Sequence, residues 1–530
     1  MIPMPQWTAE VWTLLAPQIV VCGMALFILV FDLVAGDRRI AWGAWSLVGL
    51  ALAAVVALGR WQEPLPGAEA FLSGALHVDD FGVFLEVAIL IAAGLALSTA
   101  DGYLEFAKRH QRAEFHALAL FAVSGMMLLV TSGELITLFL GLELLSFPTY
   151  VLCAFRREDI KSNESALKYF VLGSFASSLF LYGVALIWGA TGTTSLRALG
   201  ASPESALLHL GILLLLVGFL FKVGAVPFHM WVPDVYEGAP TPVTTFMATA
   251  VKVAAFGAFV RVVAGTLLAA ALPLPTILWW AACLTMIVGN MSALTQENVK
   301  RMLAFSSVAH AGYMLVGLAA VATSGWDTGA TAILFYLLAY TFMTAGAFTV
   351  MALLGRRAEG DLVFDRDWSG AARRHPFLAL AMTVFMLGLG GIPPTAGFFG
   401  KYSLFKAAVD AGLTSLVVIA VLNSLVSVYY YLRVVVALYM RPERPFVPGV
   451  LESLAPARGN ALEGPGAMAA SEPTAVPPPR WAESGAWGAK VVVAICLVGT
   501  LWLGFGPSIG GLPGVSRILE WAATATESLR

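Results

Sequence analysis

The chain has 530 residues, of which 59% are hydrophobic and only 12% are charged. Soluble domains carry about 25% charged residues, so this composition excludes a soluble globular protein and indicates a protein embedded in the lipid bilayer. The formal net charge of −2 carries little information, and we expect no nucleic-acid partner.

Apolar stretches that are each long enough to cross a bilayer core follow one another along the chain. Fourteen of them are centred near residues 22, 50, 90, 121, 144, 178, 219, 250, 284, 311, 341, 389, 426 and 497. We therefore predict an all-α polytopic membrane protein with about 14 transmembrane helices.

The basic residues predict the orientation of these helices. Lys and Arg concentrate in the segments that follow odd-numbered spans. By the positive-inside rule, both termini then lie outside the cytoplasm. The first ten residues lack a basic region and the first apolar stretch is of spanning length, so we expect no cleavable signal peptide. Four cysteines fall within predicted spans without metal-ligand spacing and are interpreted as packing residues: Cys22, Cys153, Cys283 and Cys496.

Prolines interrupt the seventh and twelfth apolar stretches, around Pro227 and around Pro393–Pro394. Interrupted helices at corresponding positions of two halves indicate a transport site built from inverted repeats. We predict three N-terminal helices (1–110), a first repeat of helices 4–8 (111–265) and a second repeat of helices 9–13 (274–440). A Pro/Ala-rich cytoplasmic linker (441–485) and a final helix with a tail (486–530) follow.

Ionisable residues inside the predicted spans are the candidate functional groups, because a charge at bilayer depth is costly. Lys222 ends an apolar run and lies five residues before Pro227, and Glu143 lies in another apolar run. An unpaired carboxylate at this depth would take up a proton, whereas one beside a lysine could remain ionised. We therefore expect Glu143 and Lys222 to form a switchable pair in which Lys222 holds its proton when paired and sheds it when alone.

The remaining candidates have competing structural interpretations. Lys252 is isolated in an apolar stretch, Lys401 follows the second proline break, and His229 and His310 are suitable proton relays or ordinary satisfied histidines. Lys168 is a candidate, but Lys161 and Glu164 beside it also fit a solvated helix start. The side chains of Lys406 and Arg433 are expected to reach the membrane interface. Glu86 is expected near a helix entrance, where it caps the helix or faces protein.

The chemistry of these residues favours proton transfer over metal-cation coordination. Lysine presents hydrogen-bond donors and no acceptor, so it is a poor ligand for Na⁺. No paired-histidine helix, CxxC motif or nucleotide-binding glycine loop is present in the sequence, so we expect no redox centre on this chain.

Four motifs give a family resemblance that spans residues from about 10 to 440. They are the stretch 221–256 with PFHMWVPDVYEGAPTPVT, GLELLSFPTYVL at 141–152, QENVKRMLAFSSVAHAGYML at 296–315 and GGIPPTAGFFGKYSLF at 390–405. Together they resemble the antiporter-like proton-translocating subunits of respiratory complex I, and their wording is closer to subunit N of the NADH–quinone oxidoreductase than to its L or M relatives.

The resemblance implies a role for each matching residue. Glu143 and Lys222 would be the family's pair of helices 5 and 7, Lys252 its central helix-8 lysine and Lys401 its helix-12 lysine near the exit. Lys168 would modulate the pair, and His229 and His310 would connect the lysines.

The resemblance also implies an assembly. The chain would hold no cofactor, whereas FMN, iron–sulfur clusters and quinone would be bound by partner subunits. Those partners would be antiporter-like subunits of the M and L type and small subunits of the J, K, A and H type, in a bacterial inner membrane.

Two other functions stay open at this point. The chain could be a subunit of a multi-subunit cation/proton antiporter, whose members share the fold. Alternatively, its buried charges could serve only to hold a larger assembly together. The subunit-N wording disfavours the first, and the lysine series disfavours the second.

Overall fold

A computed structural model describes most of the chain. The described residues are 9–35, 40–62, 74–104, 109–199, 204–265, 272–354, 356–357, 360–361, 368–441, 487–505 and 515–529. The predicted linker at 441–485 therefore lies outside the described residues, apart from Arg441.

The described chain is almost entirely helical. In the first half the helices are α1 Ala9–Val34, α2 Trp42–Leu58, α3 Asp80–Tyr103, α4 Arg109–Val130, α5 Leu135–Cys153, α6 Ile160–Thr191, α7 Leu196–Leu199, α8 Ala206–Val223, α9 Trp231–Gly238, α10 Thr241–Phe246 and α11 Lys252–Gly265. In the second half they are α12 Leu274–Leu294, α13 Val299–Ser324, α14 Trp326–Leu354, α15 Ala371–Arg374, α16 Pro376–Gly390, α17 Ala396–Asp410, α18 Thr414–Tyr439, α19 Trp487–Trp502 and α20 Val515–Glu527. The two-residue strands β1 Arg356–Arg357 and β2 Gly360–Asp361 pair antiparallel.

The helices confirm the predicted class of a polytopic membrane protein. Within the described residues, 11 helices are long and apolar enough to cross a membrane. Three shorter apolar helices, α2, α16 and α19, coincide with the remaining predicted stretches near residues 50, 389 and 497. The second and fourteenth apolar stretches thus form shorter helices than the sequence predicts, and the twelfth is short because it is broken.

Burial separates a central set of helices from an outer set. Almost every residue of Thr241–Gly265 and of α13 is buried, whereas fewer than half of the residues of α1, α6 and α18 are buried. The exposed surfaces carry large apolar side chains such as Phe175, Trp188 and Leu425. Such surfaces suit contact with lipid or with another membrane subunit, while the polar candidate residues collect in the central helices.

Both proline-interrupted helices break where the sequence predicts. The first breaks between α8 and α9, and the second between α16 and α17. Each N-terminal half ends at a glycine in the left-handed region, Gly224 with φ +75° and Gly391 with φ +80°. In each case the two residues after the helix donate backbone hydrogen bonds to its last turn, which is the usual glycine-dependent way to end a helix.

A π-helical segment and an amphipathic C-terminal helix were not predicted. The π-segment Met247–Val251 joins α10 to α11 and ends directly before Lys252. Short π-segments within helices are frequent at functional sites. Helix α20 lies beyond the last predicted span and joins the body through a hydrogen bond from the Phe81 backbone N to Ser528 Oγ (3.0 Å). The sequence did not predict this helix, because the amphipathic pattern of only 13 residues is hard to recognise in a sequence with so many apolar residues.

Candidate functional site

Lys222 lies in the last turn of α8, buried against α5 and α6. Its Nζ donates a hydrogen bond to Ser146 Oγ (2.7 Å) and lies 3.4 Å from the Tyr169 hydroxyl. The ammonium group also lies 5.6 Å from the centre of the Tyr169 ring, which stacks on Trp231. Hydroxyl and aromatic groups therefore surround the Lys222 ammonium.

Glu143 lies one turn before Ser146 on α5 and makes no ion pair with Lys222 in the structure, where Lys222 donates to Ser146. Glu143 Oε1 is buried and has no hydrogen-bond partner among the described residues. The carboxylate nonetheless contributes to the electrostatic field at Lys222. The two members of the expected pair are thus neighbours in the structure but form no ion pair.

A cavity connects Lys222 with Lys252. Its lining includes both lysines, Trp231 and Tyr236, and its volume is about 10 Å³. That is close to the space that one water molecule occupies in a polar site. Lys222 also lines a second cavity of the same size, which it shares with Tyr150 and Gly173 between α5 and α6.

Lys252 is held by α13 immediately after the π-segment. Its Nζ donates to the Ser307 carbonyl oxygen (2.6 Å) and to Ser307 Oγ (2.5 Å). The same ammonium lies 5.3 Å from the centre of the Tyr340 ring. The Tyr340 ring in turn lies 5.1 Å from the His310 ring, so Tyr340 contacts both predicted relay residues.

His310 is completely enclosed and uses both ring nitrogens. Nδ1 lies 2.5 Å from the Tyr336 hydroxyl and Nε2 lies 3.0 Å from the Tyr431 hydroxyl. Because a hydroxyl both donates and accepts, either tautomer of the imidazole is satisfied here. His310 therefore lies in a hydrogen-bonded position that tolerates movement of its proton from one nitrogen to the other.

Lys401 lies beyond His310, on the C-terminal half of the second interrupted helix. Its Nζ donates to the carbonyl oxygens of Leu389 (3.0 Å) and Gly390 (3.2 Å) and to Ser424 Oγ (2.9 Å). The ammonium lies 4.8 Å from the centre of the Tyr313 ring, which packs edge-on against His310. A continuous row of side chains thus joins four predicted residues in the order Lys222, Lys252, His310 and Lys401.

Several members of this row were missed by the sequence analysis. They are polar groups of the apolar helices, all buried except the half-buried Ser424: Ser146, Asn290, Ser307, Tyr313, Tyr336, Tyr340, Ser424 and Tyr431. Asn290 on α12 bonds to the hydroxyl groups of Tyr313 (3.3 Å) and Tyr430 (2.9 Å) and braces the wall of the row. Tyrosine and serine occur often in transmembrane helices without function, and only their mutual contacts single these residues out.

Two candidates lie apart from the row. Lys168 is partly exposed and pairs with Glu164 (2.7 Å) and Asp234 (2.7 Å). This is the solvated helix start that the sequence left open. His229 is half-buried in the loop between α8 and α9, and its Nδ1 has no hydrogen-bond partner among the described residues.

The salt-bridge cluster around Asp234 joins α6, α9 and α13. Arg301 reaches both Asp234 and Glu237 at 2.8 Å, opposite Lys168. Burial alone would raise the pKa of Asp234, but the hydrogen bonds from Lys168 and Arg301 outweigh burial and bring this pKa below its ordinary value. The carboxylate therefore stays ionised at neutral pH.

Three more residues near helix ends were considered from the sequence. Glu86 faces protein, which is one of the two positions expected for it: it is completely buried against Arg60 and Gln18. The other position is excluded, since Asp79 caps α3 by accepting from the Gly82 backbone N (2.7 Å). Arg433 is half-buried and donates to the Leu294 and Gln296 carbonyl oxygens at the end of α12, and Lys406 is exposed and lies 3.9 Å from Asp410. That both side chains reach the membrane interface stays a prediction.

Metal-binding geometry is not present in the described part of the chain, where no group of three or more His, Cys, Asp or Glu side chains converges. The four cysteines are free thiols, three of them buried, which fits their interpretation as packing residues.

A protein family and several known proteins match this chain. The model of the NADH:quinone oxidoreductase/Mrp antiporter transmembrane family matches residues 132–427. The subunit N of the NADH-quinone oxidoreductase of Trichlorobacter lovleyi is 45% identical over 433 residues, which cover 80% of this chain and 87% of that protein. Subunit N 1 of Sorangium cellulosum is 49% identical over 73% of this chain and 78% of that protein. This chain belongs to the NADH-quinone oxidoreductase subunit N family.

Solved structures agree with membership of the subunit N family. A chain of respiratory complex I from Thermus thermophilus with bound Aureothin superposes with a TM-score of 0.73 at 36% identity, covering 96% of this chain and 99% of that chain. A chain of the Mrp complex from Dietzia superposes with a TM-score of 0.78 at 24% identity, covering 97% of each chain. The second likeness shows a shared fold alone.

Proposed function

We propose that this chain is a membrane subunit of an NADH-quinone oxidoreductase and that it translocates protons through the row from Lys222 to Lys401. The chain itself carries out no redox chemistry. Each proton moved against a potential of ~100 mV costs about 2.3 kcal/mol, so the driving free energy comes from quinone reduction in other subunits.

The observation that carries this proposal is the set of three buried lysines without a carboxylate partner. In the described part of the chain, Lys222, Lys252 and Lys401 make no ion pair, and their nitrogens bond only to hydroxyl and carbonyl oxygens. A buried ion pair would favour a fixed proton on each lysine. Neutral acceptors instead allow a lysine to lose and regain its proton while it remains hydrogen-bonded.

Glu143 supplies the changing element of this mechanism. Its Oε1 has no hydrogen-bond partner among the described residues, and the carboxylate acts electrostatically on Lys222, so an approach of the two groups would stabilise the charged lysine. Their separation would favour release of the proton toward Lys252 across the water-sized cavity. Lys168 and His229 lie outside the row, and the proposed path does not pass through them.

The assembly follows from the same proposal. FMN, iron–sulfur clusters and quinone belong to partner subunits, which include antiporter-like M and L subunits and small J, K, A and H subunits. The membrane is the bacterial inner membrane, with both termini outside the cytoplasm. The two inverted repeats comprise residues 111–265 and 274–440, one around each interrupted helix.

The test is NADH-driven proton pumping by the assembled complex in sealed vesicles. Lys222→Ala and Glu143→Ala are each expected to lower pumping strongly while the chain remains inserted and assembled. Lys406→Ala is the matched control, because Lys406 is an exposed lysine outside the row. Wild-type pumping by both Lys222→Ala and Glu143→Ala would remove the proposed switch.

A further inference from the structure

Ser146 is the direct hydrogen-bond partner of Lys222, and its position on α5 relates it to Glu143. The two residues are three positions apart, so their side chains are neighbours on one face of the helix. Ser146 is completely buried. Lys222 therefore faces two acceptors on α5, one neutral and one acidic.

The hydroxyl proton of Ser146 already forms a hydrogen bond within α5. Ser146 Oγ donates to the Leu142 carbonyl oxygen at 2.5 Å. A hydroxyl has a single proton to donate, so the contact of 2.7 Å with Lys222 Nζ requires Lys222 to be the donor. Ser146 can accept this hydrogen bond from the charged and from the neutral lysine, whereas Glu143 as a carboxylate favours the charged lysine only.

Space for movement is present on both sides of the lysine. The cavity shared with Tyr150 and Gly173 lies toward α5 and α6, and the cavity shared with Tyr236 and Lys252 lies toward the centre of the row. A Cβ atom at Gly173 would lie 2.2 Å from the Tyr150 hydroxyl, so glycine at this position leaves room for that hydroxyl beside the first cavity.

We propose that Ser146 is a positioning residue that holds Lys222 away from Glu143, so that Lys222 releases its proton toward Lys252 from this position. The inference rests on the proposed function, because it assigns a residue to the separated state of the Glu143–Lys222 pair. Without the Ser146 hydroxyl, Lys222 would remain with Glu143 and keep its proton.

The experiment compares Ser146→Ala, Ser146→Thr and Ser165→Ala in the assembled complex. Ser165 is a matched control, since it is a buried serine on α6 whose hydroxyl donates to the Ser162 carbonyl oxygen and makes no side-chain hydrogen bond to a lysine among the described residues. A hydrogen bond to a charged group is worth enough to shift an equilibrium by about tenfold or more. Ser146→Ala should therefore remove most of the share of protons pumped per NADH that this chain carries, while Ser146→Thr and Ser165→Ala pump like wild type.

A second comparison separates positioning from packing. In a Glu143→Gln background, Lys222 has lost its competing carboxylate, so Ser146→Ala should cause no further decrease in pumping. The inference would be overturned if Ser146→Ala lowered pumping in the Glu143→Gln background by as much as it does in wild type. Equal losses of pumping in Ser146→Ala and Ser146→Thr would also overturn it. Wild-type pumping by Ser146→Ala would overturn the inference alone if Glu143→Ala and Lys222→Ala still lose pumping. Wild-type pumping by those two variants would overturn the proposed function itself.

Discussion

In both interrupted helices the N-terminal half ends at a glycine, but the lysine lies before the break in the first helix and after the break in the second. In the second helix, Lys401 comes from the half after the break and donates to the last carbonyl oxygens of α16. In the first helix, Lys222 comes from the half before the break, and Trp231 Nε1 donates to the Phe221 carbonyl oxygen (2.9 Å). A neutral indole thus caps α8, whereas an ammonium group caps α16.

This difference assigns a fixed position to one lysine and a movable position to the other. Lys401 satisfies backbone carbonyls that would otherwise lack partners at the helix end. Lys222 has a hydroxyl partner and a neighbouring carboxylate, and among the described residues its ammonium makes no bond to the end of its own helix. The first interrupted helix is therefore the one suited to switching, and the second is suited to receiving a proton at a fixed point.

The largest predicted effect is that of Lys401→Met. This change removes a member of the row and also leaves two buried carbonyl oxygens without their donor, at about 1–3 kcal/mol for each unsatisfied group. We expect loss of pumping together with a lower thermal stability of the assembled complex. Lys222→Met should lose pumping with a smaller change in stability. Equal destabilisation by the two variants, measured by thermal unfolding of the purified complexes, would contradict the comparison.

Gly391→Ala tests the fixed position of Lys401. Gly391 has φ +80°, and a Cβ atom there would lie 3.0 Å from Lys401 Cδ. The control is Gly412→Ala, since Gly412 also has φ +80° but has no atom within 4 Å of an added Cβ. Both changes cost roughly 1–2 kcal/mol in backbone strain. Only Gly391→Ala should also lower proton pumping, and a decrease in both would attribute the effect to strain.

A smaller effect is expected for Trp231→Phe at the first break. The change keeps an aromatic ring near Tyr169 but removes the donor to the Phe221 carbonyl oxygen, at a cost of about 1 kcal/mol. The Phe221 carbonyl oxygen then keeps only its bond from the Gly224 backbone N, so the end of α8 that carries Lys222 is held less firmly and pumping should decrease partially. Trp188→Phe on the exposed surface of α6 is the control. Wild-type pumping by Trp231→Phe would show that the indole cap does not help to position Lys222.

The smallest effect is predicted at Asp234, which lies seven residues after Pro227 just as Lys401 lies seven after Pro394. Asp234→Asn loses bonds to Lys168 and Arg301, partly exposed pairs worth at most about 1 kcal/mol each. Because the pKa of folded Asp234 is depressed, its contribution to stability is present above the unfolded-state pKa and is lost as the pH falls through the folded pKa.

The pH dependence of unfolding checks this sign. The stability difference between wild type and Asp234→Asn should be constant near neutral pH, shrink below about pH 5 and vanish in stronger acid. A difference that grows as the pH falls would contradict the assigned ion pairs.

The apolar lengths predict the helices well, because each span must satisfy its backbone internally and bury few charges. Pro227 and Pro393–Pro394 predict both breaks, because proline lacks the backbone N–H that the interior of a helix needs. Lys222, Lys252, His310 and Lys401 were identifiable because a charge or imidazole in an apolar run is conspicuous. The hydroxyl groups of Ser146, Ser307 and Tyr336 were not, since their residue types are common in membrane helices.

Contacts between distant segments were also beyond the sequence. The separation of Glu143 from Lys222 depends on how α5 and α8 both pack on α6, and no local pattern encodes it. For Lys168, the neighbouring Lys161 and Glu164 left a solvated helix start open, and the position of its partner Asp234 on α9 could not be read from the sequence.

The most direct test of the relay is the number of protons pumped per NADH oxidised by the complex that carries Lys252→Met. Lys252 lies between the switching and the fixed lysine and bonds only to Ser307 within the described residues. The ratio should fall in Lys252→Met and stay at the wild-type value in Lys406→Met. A wild-type ratio in Lys252→Met would contradict a proton path through the row from Lys222 to Lys401.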